Sequence, residues 1–168
     1  MEMWDVYDAE RRRTGRLVRR GDALAAGEYH LVVQVWIVRG DGRILITKRS
    51  SDKDNLPNMW ESTHGAVVAG EDSRSGAVRE CIEETGLDIS GVDMELIGTG
   101  LPRNDGQSFV DWWLVRMEFD LGEVRLQEGE TVDVRAATVE EIDAMIAAGD
   151  FIEYRSWKAV KERLGYAG

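Results

Sequence analysis

The sequence of 168 residues contains one cysteine, two prolines and no long apolar run. A single thiol, Cys81, excludes an internal disulfide and a zinc site built from several cysteines. No segment approaches the roughly 20 apolar residues that a membrane-spanning helix needs, and the first residues do not have the pattern of a signal peptide. These absences predict a cytoplasmic protein that does not enter a membrane.

Positive charge is also scarce. The chain has 21 Lys and Arg against 32 Asp and Glu, a net charge of −11, within an ordinary globular composition of 43 % hydrophobic and 32 % charged residues. The length favours one domain over residues 1–168. Because so acidic a chain repels phosphate backbones, nucleic acid is an improbable partner. A small phosphate-bearing substrate would need a bound cation between it and the protein.

Hydrophobic periodicity predicts a mixed sheet flanked by helices. The strand His30–Val38 is apolar at alternate positions on both sides, so we expect it to be covered on both faces. The other predicted strands are Ile44–Lys48, Asp93–Thr99 and Phe109–Phe119. The predicted helices are Ser73–Thr85, capped by Asp72 and Gly86, and two C-terminal helices within 138–164.

The helix Ser73–Thr85 carries the candidate chemistry. Glu80, Glu83 and Glu84 fall within about 100° of its circumference, while Ala77, Val78, Cys81 and Ile82 supply the core side. Carboxylates on adjoining positions repel one another, and a face that serves only for solvation would normally include lysines, which this one lacks. We expect the side chains of Glu83 and Glu84 to face solvent. Hard divalent cations prefer oxygen ligands, and this arrangement therefore favours Mg²⁺.

The loop before the helix adds further candidates. Its glycines, from Gly65 to Gly70, allow a close approach of the backbone to a ligand, and the carbonyl of Gly65 could join a metal shell. Arg79 is within reach of Glu71, and this ion pair would tie the loop to the helix.

The spacing of these residues resembles the Nudix box. The fixed positions of that motif are all filled, with Cys81 and Leu87 at its apolar positions. The matching residues are Gly65, Glu71, Arg79, Glu80, Glu83, Glu84 and Gly86.

The resemblance implies an α/β/α sandwich with a mixed sheet, in which residues 65–87 form a loop–helix–loop. It implies a Mg²⁺-dependent hydrolase, with Mn²⁺ as a substitute, that cleaves a nucleoside diphosphate linked to another group. Carried across by position, Glu80 and Glu84 would be the main metal ligands, Glu83 would assist, and Glu71 would be an auxiliary ligand held by Arg79. Homodimers are frequent in the family, which makes a homodimer possible here, but the sequence does not determine the oligomeric state.

Other candidates lie outside the box. Glu130 is placed where relatives carry an acidic residue, and we take it as the candidate general base. Trp112 and Trp113 point to opposite faces of a strand, and the sequence does not decide which of them packs in the core. The substrate-binding candidates are Lys48, Arg49, His64, Trp113 and Arg103.

A weaker likeness, carried by short runs such as Pro57-Asn-Met-Trp60-Glu61, extends to Nudix hydrolases similar to isopentenyl-diphosphate isomerase. An isomerase is therefore one alternative, and a nucleotide-binding protein that does not hydrolyse is another. The isomerase's Cys-Gly-His run aligns with His64-Gly65-Ala66, so its catalytic thiol is missing and hydrolysis is favoured.

The first 29 residues form a predicted N-terminal hairpin that is rich in arginine. Such a cluster could gather phosphate groups or RNA, but a solvated hairpin on an acidic protein is the favoured interpretation. The residues concerned are Arg11, Arg12, Arg13, Arg16, Arg19 and Arg20.

Overall fold

The computed structural model describes residues 2–101 and 106–166. The strands are Met3–Tyr7 (β1), Arg13–Arg19 (β2), His30–Val38 (β3), Ile44–Arg49 (β4), Trp60–Glu61 (β5), Thr63–Ala66 (β6), Met94–Gly100 (β7), Ser108–Arg116 (β8) and Thr131–Ala137 (β9). The helices are Ser73–Thr85 (α1), Val139–Ala148 (α2) and Trp157–Arg163 (α3). The strands and helices predicted from periodicity therefore lie where expected, within a few residues at their ends.

Strand β3 is at the centre of a mixed sheet. In the described residues, the order is β5-β4-β3-β8-β7, with β6 paired to β3 and β9 paired to β4. β3 runs parallel to β8 along its whole length. Leu31 and Val33 pack on the side of α1, whereas Trp36 and Val38 pack on the side of α2 and α3. The fold is thus the expected α/β/α sandwich.

Strands β3 and β4 separate along most of their length, close to the loop of the box. β3 pairs with β4 only through Val38 and Ile44, and its other half pairs with β6 instead. Gln34 in the middle of β3 is buried, and a chain of hydrogen bonds satisfies its side-chain amide. Gln34 donates to Ser62 Oγ (2.9 Å) and accepts from Ser156 Oγ (2.7 Å). This network joins the two halves of the sheet to α3.

Helix α1 begins and ends as predicted. The Asp72 side chain accepts a hydrogen bond from the backbone of Ser75 (2.7 Å), and Gly86 ends the helix in the left-handed conformation (φ 73°). The prediction for Ile82 is wrong, because this side chain is 44 % exposed. At 100° per residue it lies about 140° from Ala77, beyond the buried arc of the helix.

Strands β1 and β2 form a separate antiparallel hairpin, which we call the N-terminal hairpin. It contacts the rest of the molecule through a stack of Trp4 on His30, with ring centroids 4.2 Å apart. It also holds the box loop: the backbone N–H of Gly70 donates to Asp5 (2.9 Å), and that of Ala69 donates to the Met3 carbonyl (2.8 Å).

Every arginine of the predicted cluster has a carboxylate partner in the structure. These ion pairs neutralise the cluster, which supports the solvated hairpin over a phosphate- or RNA-gathering surface. The pairs are Arg11–Asp111, Arg12–Asp8, Arg13–Asp5, Arg16–Glu28, Arg19–Asp22 and Arg20–Glu2.

Candidate active site

Glu80 lies against the backbone of Gly65. A Cβ added to Gly65 would meet the carboxylate atoms of Glu80 at 2.1–2.3 Å, so any larger residue here would displace this carboxylate. The Glu80 side chain is 12 % exposed, and burial raises its pKa above the usual value, although the Arg79 guanidinium opposes this shift. The loop glycine that the motif requires is therefore the residue that admits this carboxylate.

Glu84 is half-buried, which corrects the expectation that it faces solvent. It lies about 20° from Ala77 on the helix circumference, within the buried arc. Its Oε2 atom is buried and has no hydrogen-bond partner among the described residues. Burial raises the pKa of Glu84 well above its usual value, and the negative charges of Glu61 and Glu80 add to the shift.

Glu61 on β5 is a site residue that the sequence reasoning missed. It is 2 % exposed, and its Oε2 accepts a hydrogen bond from Arg49 Nη1 (2.9 Å) and lies 3.4 Å from His64 Nδ1. A carboxylate is rarely buried without such a partner. Its position immediately before the loop of the box was the available signal.

Arg79 binds most of the remaining carboxylates. Its Nε donates to Glu71 Oε1 (3.0 Å), as expected, and its Nη1 donates to Glu80 Oε1 (2.8 Å) and Glu83 Oε2 (3.0 Å). Its Nη2 donates to the Ala66 carbonyl (2.8 Å). Arg79 thus fixes the loop and the helix together and partly neutralises the acidic groups.

We refer to Glu61, Glu71, Glu80, Glu83 and Glu84 as the carboxylate cluster. As the side chains stand, no three acidic, histidine or cysteine groups in the described part of the chain converge in the manner of an occupied metal site. The donor chemistry nevertheless fits a hard divalent cation. All five groups offer carboxylate oxygens, and the unpartnered Oε2 of Glu84 is next to other negative charges.

Glu130 lies at the edge of this region. Its carboxylate forms an ion pair with Lys53, and the side chain is 42 % exposed. Burial lowers the pKa of Lys53, and the neighbouring Arg49 lowers it further, whereas the charges of Glu61 and Glu84 oppose the shift. Lys53, which the sequence reasoning also missed, therefore connects the candidate base with the carboxylate cluster.

A cavity of about 490 Å³ opens beside the cluster, on the α2 and α3 side of the sheet. Arg49, His64, Trp112 and Tyr154 are among its lining residues. Burial and the charges of Glu61 and Glu84 raise the pKa of the Tyr154 hydroxyl well above its usual value. The cavity thus has a polar end at the cluster.

The structure separates the predicted substrate-binding residues. Arg49 and His64 line the cavity, whereas Lys48 does not; it lies on β4 opposite Trp60 and Asp133. The prediction that Trp113 binds substrate is wrong. This side chain is 8 % exposed in the core under α1, and its indole donates to Ser73 Oγ (3.0 Å). Since adjacent strand residues face opposite sides, Trp112 lines the cavity instead. Arg103 lies outside the described residues.

Comparison with known proteins decides the family. The model of the NUDIX domain matches residues 28–156. The chain belongs to the Nudix family. An uncharacterized Nudix hydrolase of Listeria monocytogenes, lmo0368, is 38 % identical over 157 residues, which cover 92 % of this chain and 90 % of the relative. Relatives of this kind place the chain among the Nudix hydrolases, a family that generally uses divalent metal ions.

Solved structures confirm the Nudix fold. The crystal structure of DR0079 from Deinococcus radiodurans superposes with a TM-score of 0.78 at 22 % identity, covering 96 % of this chain and 98 % of that one. The NUDIX domain of Shewanella oneidensis NrtR, solved with ADP ribose, gives a TM-score of 0.64 at 15 % identity, covering 87 % of this chain and 94 % of that one.

Salmonella isopentenyl-diphosphate isomerases match about half of this Nudix chain, which is a weak indication of that branch of the family. No described helix is long and apolar enough to cross a membrane.

Proposed function

We propose that this Nudix hydrolase uses Mg²⁺ to cleave the diphosphate linkage of a nucleoside diphosphate joined to a second group. The observation that carries the proposal is the Glu84 carboxylate, whose buried Oε2 has no hydrogen-bond partner while the negative charges of Glu61 and Glu80 lie nearby. A divalent cation would relieve this repulsion, because it brings the opposite charge and accepts oxygen ligands.

Glu80 and Glu84 would hold the ion, with Glu83 and Glu71 as supporting ligands. When bound, the ion would neutralise the diphosphate and lower the pKa of a water molecule. Arg79 orients the acidic groups through its bonds to Glu71 and Glu80. Gly65 keeps open the space that Glu80 occupies.

The cavity supplies the groups that would position the substrate. Arg49 offers a cationic guanidinium at its polar end, a group well suited to phosphate oxygens. His64 borders the same end, with its Nδ1 3.4 Å from Glu61 Oε2. Glu130 stays our candidate general base, since its partner Lys53 lies close enough to Glu84 for their charges to interact.

The test is a substrate panel incubated with Mg²⁺, with Mn²⁺ and with a chelator. Nucleotide sugars, dinucleotide polyphosphates, nucleoside di- and triphosphates and capped RNA would be assayed for phosphomonoester products. We expect turnover of at least one nucleotide class with either ion and none with the chelator. The absence of any phosphomonoester product in the presence of metal would overturn the proposal and leave a nucleotide-binding protein as the alternative.

The isomerase alternative gains no support from the structure. Cys81 is the only thiol of the chain and is fully buried in the core, where it cannot meet a substrate. Incubation with isopentenyl diphosphate is the direct check, and we expect no dimethylallyl product. The homodimer and the cytoplasmic location stay predictions.

A further inference from the structure

The indole of Trp112 lies flat on the backbone of the edge strand β7. A Cβ added to Gly98 would meet Cε3 of the ring at 2.6 Å, and one added to Gly100 would meet Cζ2 at 2.7 Å. The two glycines are two residues apart on one face of the strand. The six-membered ring of the indole therefore spans both positions and occupies the space that two side chains would fill.

Glycine within a strand needs an explanation. It weakens the strand, because it loses more backbone entropy than other residues and offers no side chain for packing. In β7 the two glycines let a large aromatic ring approach the backbone. Since β7 covers one face of the ring, the face that lines the cavity is the opposite one.

The cavity is apolar around Trp112 and polar at its other end. Near the ring the lining is formed by Val32, Val110 and Leu101, whereas Arg49 and His64 lie at the carboxylate cluster. The volume of about 490 Å³ is that of an ordinary small-molecule site. Such a cavity fits a molecule with an anionic group at one end and a flat apolar group at the other.

We propose that Trp112, held flat by Gly98 and Gly100, is the surface on which the base of the nucleotide stacks. It then acts as a specificity residue that favours diphosphates carrying a planar heteroaromatic ring over those carrying a flexible prenyl chain. A rigid, flat indole gives a large contact area with a base at little entropic cost. This inference rests on the proposed function, because it assigns the substrate class of the same site.

The experiment measures binding, so that it does not depend on turnover. Adenosine, cytidine and guanosine monophosphates would be titrated into the protein in the presence of a chelator and compared with ribose 5-phosphate, which has the same anionic end without a base. We expect Trp112→Leu to weaken binding of the nucleoside monophosphates about ten- to a hundredfold while leaving ribose 5-phosphate unchanged. Trp112→Phe should recover part of the loss, and Trp4→Phe, in the N-terminal hairpin, should change neither affinity.

A second set of variants tests the orientation of the ring. Gly98→Ala should tilt the indole and weaken nucleotide binding several-fold, whereas Gly91→Ala, whose Cβ would meet nothing within 4 Å, should have no effect. In the Trp112→Leu background, Gly98→Ala should cost no further affinity, because the ring that it displaces is gone. Circular dichroism of each variant would confirm that the fold is retained.

Two results would overturn the inference. One is a wild-type protein that binds the nucleoside monophosphates no more tightly than ribose 5-phosphate, and the other is a Trp112→Leu variant with unchanged nucleotide affinity. Neither depends on hydrolysis. Loss of the proposed function would instead appear as the absence of phosphomonoester products from the substrate panel while base-dependent binding persists.

Discussion

The N-terminal hairpin and the carboxylate cluster differ in how completely their charged side chains are paired. In the hairpin, each arginine has its own carboxylate partner, and most of these pairs are near the surface. In the cluster, five carboxylates share Arg79 and Arg49, with Lys53 nearby, and Glu84 keeps an unpartnered oxygen. Exposed pairs need nothing more, whereas a buried negative excess calls for a cation. Whether a region would bind an ion thus depends less on how many charged side chains it has than on whether each of them has a partner of opposite charge.

The largest effect is expected from Glu84→Gln. We expect turnover to fall on the order of a hundredfold or more, because the proposed function makes Glu84 a main metal ligand. In the absence of metal, the melting temperature should rise by a few degrees, since the amide carries no charge to bury. Steady-state kinetics and thermal unfolding in chelator measure the two effects. Glu162→Gln, at an exposed position of α3, is the matched control; normal turnover in Glu84→Gln would contradict the metal assignment.

The second largest effect is expected from Gly65→Ala. The new Cβ would displace the Glu80 carboxylate, so we expect about a tenfold or greater increase in the Mg²⁺ concentration needed for half-maximal rate. Metal titration of the initial rate measures this change. Gly91→Ala adds the same methyl group in open space and should behave as wild type. An unchanged metal requirement in Gly65→Ala would mean that Glu80 does not depend on this loop.

His30, the β3 residue on which Trp4 of the N-terminal hairpin stacks, and Glu84 of the carboxylate cluster should make opposite contributions to the pH dependence of stability. Burial lowers the pKa of His30 to about 4, so the folded protein resists its protonation and loses stability as pH falls from 6.5 to 4. Burial raises the pKa of Glu84, so its ionisation costs stability as pH rises above the usual glutamate value near 4.5.

Melting temperatures in chelator from pH 4 to 8 would separate these contributions. The difference between Glu84→Gln and wild type should grow towards pH 8. A His30→Gln variant should lose less stability than wild type between pH 6.5 and 4. Parallel curves for all three proteins would contradict both assignments.

The smallest effect is expected from Arg12→Ala in the N-terminal hairpin. The side chain of Arg12 is 71 % exposed where it pairs with Asp8, and solvent screens such pairs. The melting temperature should change by about one degree or less, and turnover should not change. A large loss in either measurement would show that the hairpin charges act together, contrary to their pairwise arrangement.

The sequence predicted those parts of the fold that depend on local rules. The caps at Asp72 and Gly86 follow from side-chain and backbone preferences within one helical turn. The burial of both faces of β3 follows from the apolar residues in both of its alternating sets of side chains. The motif spacing also placed Arg79 beside Glu71, because that contact is fixed by one helix and the loop before it.

The rest depended on contacts between distant segments. Glu61 is 23 positions from Glu84, and nothing local shows that β5 brings them together. Glu84 was predicted to face solvent from the polarity of its helix face, but in the structure its Oε2 is buried near the charges of Glu61 and Glu80. The choice between Trp112 and Trp113 required the register of β8 against β3, which periodicity alone does not supply because both residues are aromatic.

The attachment of the N-terminal hairpin to the box loop has a practical consequence. The family model begins at residue 28, yet Met3 and Asp5 hold the backbone of Ala69 and Gly70, and Arg13 donates to the carbonyl of Glu71. A polypeptide trimmed to the residues that the family model matches would keep every motif residue but lose the hydrogen bonds that hold the box loop from the N-terminal side. Module boundaries taken from the motif alone would therefore remove a support that this chain supplies from outside the module.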